Sequence, residues 1–248
     1  MAAERKEFMP PLVIDNVVGG YGGAPVLNGL SLTVGERERV GLFGPNGHGK
    51  TTLLRAVSGL LALKGGSIRL FDKPIDGKTA ASIVADGLIH VPQSNLLFPD
   101  MEVLETLRLG AQSPRARQNA AASLDSVLAL FPRLAERRRQ KIRTLSGGER
   151  QMVAVGVGLM GAPRLLALDE PTLGLSPKLK DELCVAIGAI AKSGLPLLLI
   201  EQDVEFLLEL TDRLVMVSHG RCGVELDAKQ GIDHATVMAL YFGEEHVT

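Results

Sequence analysis

Cysteine is nearly missing from this chain. Cys184 and Cys222 are the only two. Their spacing matches no metal-binding pattern, and both are expected as buried or half-buried thiols in a reducing compartment. An excess of charge is missing too: 27 Lys and Arg stand against 28 Asp and Glu, a net charge of −1. That leaves no global basic field of the kind that draws nucleic acid. Long apolar runs are absent. The longest, such as Leu197-Leu198-Leu199-Ile200, have strand length, so no segment can span a bilayer and any work at a membrane goes through a partner. The charged start, Met1 to Glu7, is not followed by a long apolar run, so no signal peptide is expected. Aromatics make up only 4%, so a lone Tyr21 in a glycine-rich turn stands out. What remains is ordinary for a globular protein: 46% hydrophobic and 22% charged over 248 residues. This allows one domain with a large core and room for a subdomain.

Glycine is plentiful, with 28 residues, and one glycine-rich stretch organises the rest. Gly44-Pro45-Asn46-Gly47-His48-Gly49-Lys50-Thr51 fits G-x-x-x-x-G-K-S/T. It follows an apolar run, Val40 to Phe43, that reads as a buried strand, and precedes a helix expected over Thr52 to Ser58. Glycines let the backbone curl until successive N–H groups face one cavity. The helix adds its positive end. Lys50 can reach the β- and γ-phosphates, and the Thr51 hydroxyl can hold Mg²⁺.

Around this loop, strands alternate with helices, which predicts a mainly parallel α/β sheet with antiparallel strands near the two ends of the chain. Strands are expected at Leu12 to Val18, Leu30 to Val34, Gly66 to Phe71, Leu88 to Val91, Leu165 to Asp169 and Leu197 to Ile200. A hairpin is expected from Leu214 to Leu226, then a closing helix over Ala235 to Tyr241. Residues 94–160 read as a helical subdomain inserted into the core, itself residues 1–93 and 161–248. Within it, Pro114 to Leu130 reads as one helix face, and Arg133 to Arg143 carries six Lys or Arg and one Glu. Such a run is a solvated helix face, the support of a nearby anion site, or a nucleic-acid patch.

Two further stretches carry chemistry. Leu145-Ser146-Gly147-Gly148-Glu149-Arg150-Gln151 contains the capping pattern S-x-x-E ahead of a helix expected from Gln151 to Met160. Two glycines weaken a helix start; they make sense if that first turn presses against something, such as a phosphate. The strand from Leu165 ends in Asp169 and Glu170. With a phosphate loop present, Asp169 is the expected second Mg²⁺ position, and Glu170 can polarise a water. Gln93, at the end of another strand, is a turn residue or a ligand. Tyr21 either stacks on a base or plugs the sheet end.

Taken together, these motifs resemble the ATP-binding cassette (ABC) ATPases. The stretch Leu145 to Gln151 looks like the signature of that family, and it lies just upstream of the Asp169-Glu170 strand. The resemblance covers about residues 11–242. It implies a P-loop NTPase (RecA-like) fold, an α/β parallel-sheet core with an antiparallel β subdomain and an inserted α-helical subdomain. It implies ATP and Mg²⁺ as ligands. Tyr21 would stack on adenine. Gly44, Pro45, Asn46, Gly47, His48, Gly49, Lys50, Thr51 and Thr52 would wrap the triphosphate. Thr51, Gln93 and Asp169 would hold Mg²⁺, with Gln93 also serving the attacking water and coupling to a membrane partner. Glu170 would be the general base. Ser146, Gly147, Gly148 and Glu149 would meet an ATP bound on a second subunit, homo- or heteromeric, so that ATP closes a head-to-tail dimer and hydrolysis reopens it.

Two positions depart from the family pattern. Gln202 stands where a histidine is usual; it can donate a hydrogen bond to the γ-phosphate but carries no proton charge. Ser176 stands where an aspartate is usual, possible there as a plain helix cap. Glu201-Gln202, Thr172 to Pro177, Thr52-Leu53-Leu54 and the ending Tyr241-Phe242-Gly243 resemble importers of branched-chain amino acids and of urea or amides, although Val157 stands where that group often has arginine. The implied setting is peripheral, on the cytoplasmic face of the inner membrane, with permease subunits as partners, a solute-binding protein behind them, and no nucleic acid. A soluble ABC ATPase acting on nucleic acid or ribosomes is the alternative, with Arg133 to Arg143 as its support. A phosphate-loop kinase or GTPase leaves the signature unexplained.

Overall fold

The computed structural model describes residues 9–93, 96–232 and 234–242. The charged start Met1 to Glu7 and Gly243 of the chain's ending lie outside them. Two sheets carry the fold. The first is antiparallel, in the order β2-β1-β4-β5, from β1 (Leu12–Gly19), β2 (Leu27–Val34), β4 (Leu63–Leu70) and β5 (Lys73–Pro74). The second runs β10-β9-β3-β8-β7-β6. It comprises β3 (Arg39–Phe43), β6 (Leu88–Val91), β7 (Leu165–Asp169), β8 (Leu197–Ile200), β9 (Arg213–Ser218) and β10 (Arg221–Asp227). Its five strands from β9 to β6 are parallel, and β10 pairs antiparallel on the edge.

The central strands read as unbroken apolar runs because both of their faces are covered. Along β8, Leu197 and Leu199 face one core with the helices α3 (Val103–Leu109), α7 (Gly147–Met160) and α8 (Pro177–Lys192). Leu198 and Ile200 face the other, with α1 (Lys50–Val57) and the antiparallel sheet. This period-2 division puts the carboxyl ends of β3, β7 and β8 side by side, between two packed layers. Loops at that edge can meet without being buried.

Four expectations change. Helix α1 starts at Lys50, inside the motif. Helix α7 starts at Gly147, four residues earlier than read from propensity, because its cap is at Ser146. The run from Pro114 divides into α4 (Pro114–Gln118) and α5 (Ala120–Leu130) at Asn119, where φ is −112°. The first strand is bulged: Asn16 sits at φ 47° and the pairing register shifts between Ile14 and Val17. The remaining helices are α2 (Ala80–Asp86), α6 (Pro132–Glu136), α9 (Val204–Leu210) and α10 (His234–Phe242). No described helix is long and apolar enough to cross a membrane. Both cysteines are free; Cys184 is buried and Cys222 half-buried.

Candidate nucleotide-binding and hydrolysis site

The loop from Gly44 to Gly49 leaves β3 and enters α1 with its backbone wound tightly. Gly44 sits at φ 134°, and a Cβ there would lie 2.2 Å from the carbonyl oxygen of Val217 on β9. Only glycine fits that approach. The loop is pinned from the hairpin turn as well: the Gly220 N–H donates to the His48 carbonyl at 3.0 Å. Lys50 is buried at 5% exposure and donates to the carbonyls of Gly44 (2.5 Å) and Pro45 (3.0 Å). Burial lowers its pKa, while Glu170 and Asp169 act against that. The first turn of α1 has no side-chain cap and no acidic residue. Its amino-terminal N–H groups therefore stay open to a ligand.

Asp169 closes β7 beside this helix. Thr51 donates its hydroxyl to Asp169 Oδ1 at 3.2 Å. The other carboxylate oxygen, Oδ2, is buried with no hydrogen-bond partner. Burial pushes Asp169 up to about 6 despite the Thr51 bond. A hydroxyl and a carboxylate with one orphaned oxygen make a hard-oxygen donor pair that fits Mg²⁺. Among the described residues no three His, Cys, Asp or Glu side chains gather into a protein-only metal cage. Mg²⁺ needs none, since phosphates and waters complete its shell. A cavity of about 300 Å³ opens from Thr51, Gln93 and Asp169 outward past His90 to Leu60 and Leu96.

Glu170 lies just beyond the strand, at φ 45°, with its N–H held by the Ile200 carbonyl at 2.9 Å. A simple alternation of side chains does not place it; a left-handed turn costing about 1 kcal/mol does. Its carboxylate, in a residue 7% exposed, accepts Gln93 Nε2 at 2.7 Å on Oε2 and Gln202 Nε2 at 3.0 Å on Oε1. An ionised Glu170 held in this way can take a proton from a water once one amide withdraws. Glu201, next to Gln202, is buried and caps the loop that follows Glu170 by accepting the Thr172 N–H at 2.7 Å. Ser176 stands at the N-cap of α8, and its side chain makes no cap hydrogen bond.

Tyr21 is 50% exposed and its hydroxyl accepts Arg55 Nη1 at 2.9 Å. His48 lies against His219 with ring centroids 4.5 Å apart and ring planes tilted by 48°. Burial, His219 and Lys50 all lower its pKa. Ser146 and Glu149 complete a capping box: Ser146 Oγ accepts the Glu149 N–H at 3.2 Å, and Glu149 accepts the Ser146 N–H at 2.8 Å. Gly148 does press on something, but it is protein: a Cβ there would lie 2.4 Å from Leu179. Gly147 faces open space. Among the described residues no hydrogen bond joins this helix start to the phosphate loop.

Three arginines support these residues: Arg55 beside Tyr21, and Arg137 and Arg133 in the helical block. Arg55 lies one helical turn after Thr51, and that spacing was the only available signal. Arg137 braces Glu149 at 2.8 Å, and Arg133 pairs with Glu182 at 2.8 Å. These pairs engage two of the run's six cations, while Arg138, Arg139, Lys141 and Arg143 stay exposed.

A family model described as ABC transporter matches residues 27–173. The high-affinity branched-chain amino acid transport ATP-binding protein BraG of Pseudomonas aeruginosa is 37% identical over 210 residues, covering 85% of this chain and 90% of that one. The Nod factor export ATP-binding protein I of Cupriavidus pinatubonensis is 35% identical over 206 residues, covering 81% of this chain and 61% of that one. A crystal structure of the ADP conformation of an ATP-binding cassette of an ABC transporter superposes with a TM-score of 0.81 at 26% identity, covering 95% and 99% of the two chains.

Proposed function

The chain belongs to the ABC transporter family of ATP-binding cassettes, which are ATPases, and on that premise we propose that it energises an importer of branched-chain amino acids or of urea and short amides. The observation that carries the import reading is the extent of the likeness. It runs along 90% of the branched-chain amino acid protein, against 61% of the Nod factor export protein.

In this reading the triphosphate of ATP lies on the backbone N–H groups from Gly44 to Thr52, and Lys50 turns from the Gly44 and Pro45 carbonyls to the phosphate oxygens. Thr51, Asp169 and Gln93 would hold Mg²⁺, which when bound would offset charge on the phosphates. Water attacks the γ-phosphorus, the bond to the β-bridging oxygen breaks, and Glu170 takes the proton of the water. Tyr21 stacks on adenine. Ser146 to Glu149 meet the ATP of a second subunit. Residues 94–160 form the unit that leans on permease subunits at the cytoplasmic face of the inner membrane. Arg133 and Arg137 pair with Glu182 and Glu149 within the chain, which favours a structural role for those two cations over a nucleic-acid partner.

Reconstitution in vesicles with permease and solute-binding protein tests this. ATP-dependent leucine or urea entry is expected. Efflux would reverse the direction, and ATPase activity that rises with RNA instead of permease would replace the reading. At the centre itself, Glu170→Gln is expected to bind ATP, to lose turnover by about 100-fold or more, and to persist as a dimer on gel filtration. Normal turnover in that variant would sink the general-base assignment.

A further inference from the structure

Tyr21 stands on the loop that joins β1 to β2, and two cations from other elements hold it. The loop closes where the Val26 N–H donates to the Gly19 carbonyl at 2.8 Å. Lys64 of β4 donates to the Gly22 carbonyl at 2.9 Å and so fixes backbone. Arg55 of α1 fixes the ring. Its Nη1 donates to the Tyr21 hydroxyl at 2.9 Å, and its guanidinium carbon lies 5.8 Å from the ring centroid, within cation–π range. The ring itself stays half exposed. A tyrosine turns about two side-chain torsions, and on an exposed loop little packing selects among its rotamers. One bond at the far end of the ring makes that selection. Arg55 is in turn placed by the phosphate loop, because α1 starts at Lys50 and Arg55 lies one turn after Thr51. It lines the same cavity as Thr51 and Asp169.

We infer that Arg55 is a positioning residue for nucleotide binding: it sets the separation between the phosphate loop and the ring that meets the base. The inference rests on the reading of Tyr21 as the adenine platform. Thr51 and Arg55 belong to one helix, so the ring bonded to Arg55 is held at a fixed distance from the phosphate cradle. ATP then spans the two without having to order a loose side chain as it binds. Preorganisation of this kind raises affinity by removing an ordering cost. It acts on the share of affinity that comes from the base and leaves the share that comes from the phosphates alone.

The test is displacement of a fluorescent ATP analogue from the full chain by ATP and by inorganic tripolyphosphate, in EDTA so that nothing turns over. Tyr21→Phe keeps the ring and removes the accepting oxygen; Arg55→Ala removes the donor. Each is expected to weaken ATP by about fivefold, the size of one net hydrogen bond. The double variant should be no weaker than either single one, because both remove the same contact. Tripolyphosphate should stay within about twofold in all three. Tyr21→Ala should weaken ATP by about tenfold or more. An Arg55→Ala variant that loses tripolyphosphate as strongly as ATP would make Arg55 a phosphate contact and overturn the inference. Losses that multiply in the double variant would overturn it too. ATP affinity within about twofold for Arg55→Ala, beside about a tenfold loss for Tyr21→Ala, would overturn the role of Arg55 alone. Unchanged ATP affinity in Tyr21→Ala would instead overturn the adenine reading beneath it. Both side chains are exposed, so these variants leave the core intact.

Discussion

Two helix starts in this molecule were expected to meet phosphate, and they are built in opposite ways. The start of α1 has no side-chain cap, no acidic residue, a buried lysine bonded only to loop carbonyls, and next to it a carboxylate with an orphaned oxygen. The start of α7 is satisfied from within. Ser146 and Glu149 cap each other, and Arg137 braces Glu149. Burial would raise Glu149, but the Ser146 bonds and Arg137 hold it below the usual carboxylate range. The first end carries unsatisfied groups that a ligand would satisfy. The second is a finished helix cap, exposed at Ser146 and Gly147, with two N–H groups to spare for something docked from outside. Altering the first should change function while sparing or even raising stability; altering the second should reach stability.

The largest effect expected is at Lys50. Lys50→Ala removes the only buried cation of the loop, and charge-assisted bonds to phosphate are the strong ones. ATP affinity by fluorescent-nucleotide titration should fall by about 100-fold or more, roughly 3 kcal/mol, while the melting temperature changes little. Next comes Asp169. Its folded pKa of about 6 exceeds the unfolded value of about 3.9. The folded state therefore binds the proton more tightly, and the stability this contributes is full below about pH 4 and lost as pH rises through 6. A difference of about two units is about 3 kcal/mol. Asp169→Asn never ionises, so without nucleotide or divalent cation it should melt higher than the unaltered chain at pH 7.5 and no higher at pH 4. An equal shift at both pH values would mean that ionisation is not the cause.

Much of α1's end was legible in the sequence, and less of α7's. Buried parallel strands write themselves as apolar runs, so β3, β7 and β8 and the residues after them could be placed by reading alone. The motif supplied Lys50 and Thr51 directly. The S-x-x-E cap was equally plain, yet the helix start was read four residues late, because glycine propensity argues against helix while the capping box and the packing of Gly148 on Leu179 overrule it. The left-handed turn at Glu170 and the bulge at Asn16 occur at non-glycine residues, where composition gives no warning. The partners of Glu170 lie 77 and 32 residues away, and no local pattern encodes a contact made only when distant strand ends come together. The family pattern points Gln202 at the γ-phosphate; in the ligand-free chain its amide donates to Glu170, a contact the local sequence does not announce.

The smallest effect sharpens the contrast most. Ser146→Ala removes the oxygen that accepts the Glu149 N–H and leaves the reciprocal bond from the Ser146 N–H to Glu149, along with the Arg137 brace. Half a capping box is worth about 1 kcal/mol, and glycine at the same place should cost only a few tenths, since it exposes the freed N–H to water. For a domain of this length the alanine variant should melt about 2–4 °C lower. Its affinity for ATP as a single chain should be unchanged, because no bond from Ser146 reaches the phosphate loop. The paired measurement decides what kind of end this is. A lower melting point with unaltered ATP affinity marks a cap that is complete in itself and serves a ligand only from a second subunit. A loss of ATP affinity in the isolated chain would mean that the two helix starts already share one nucleotide, and the contrast between them would fail.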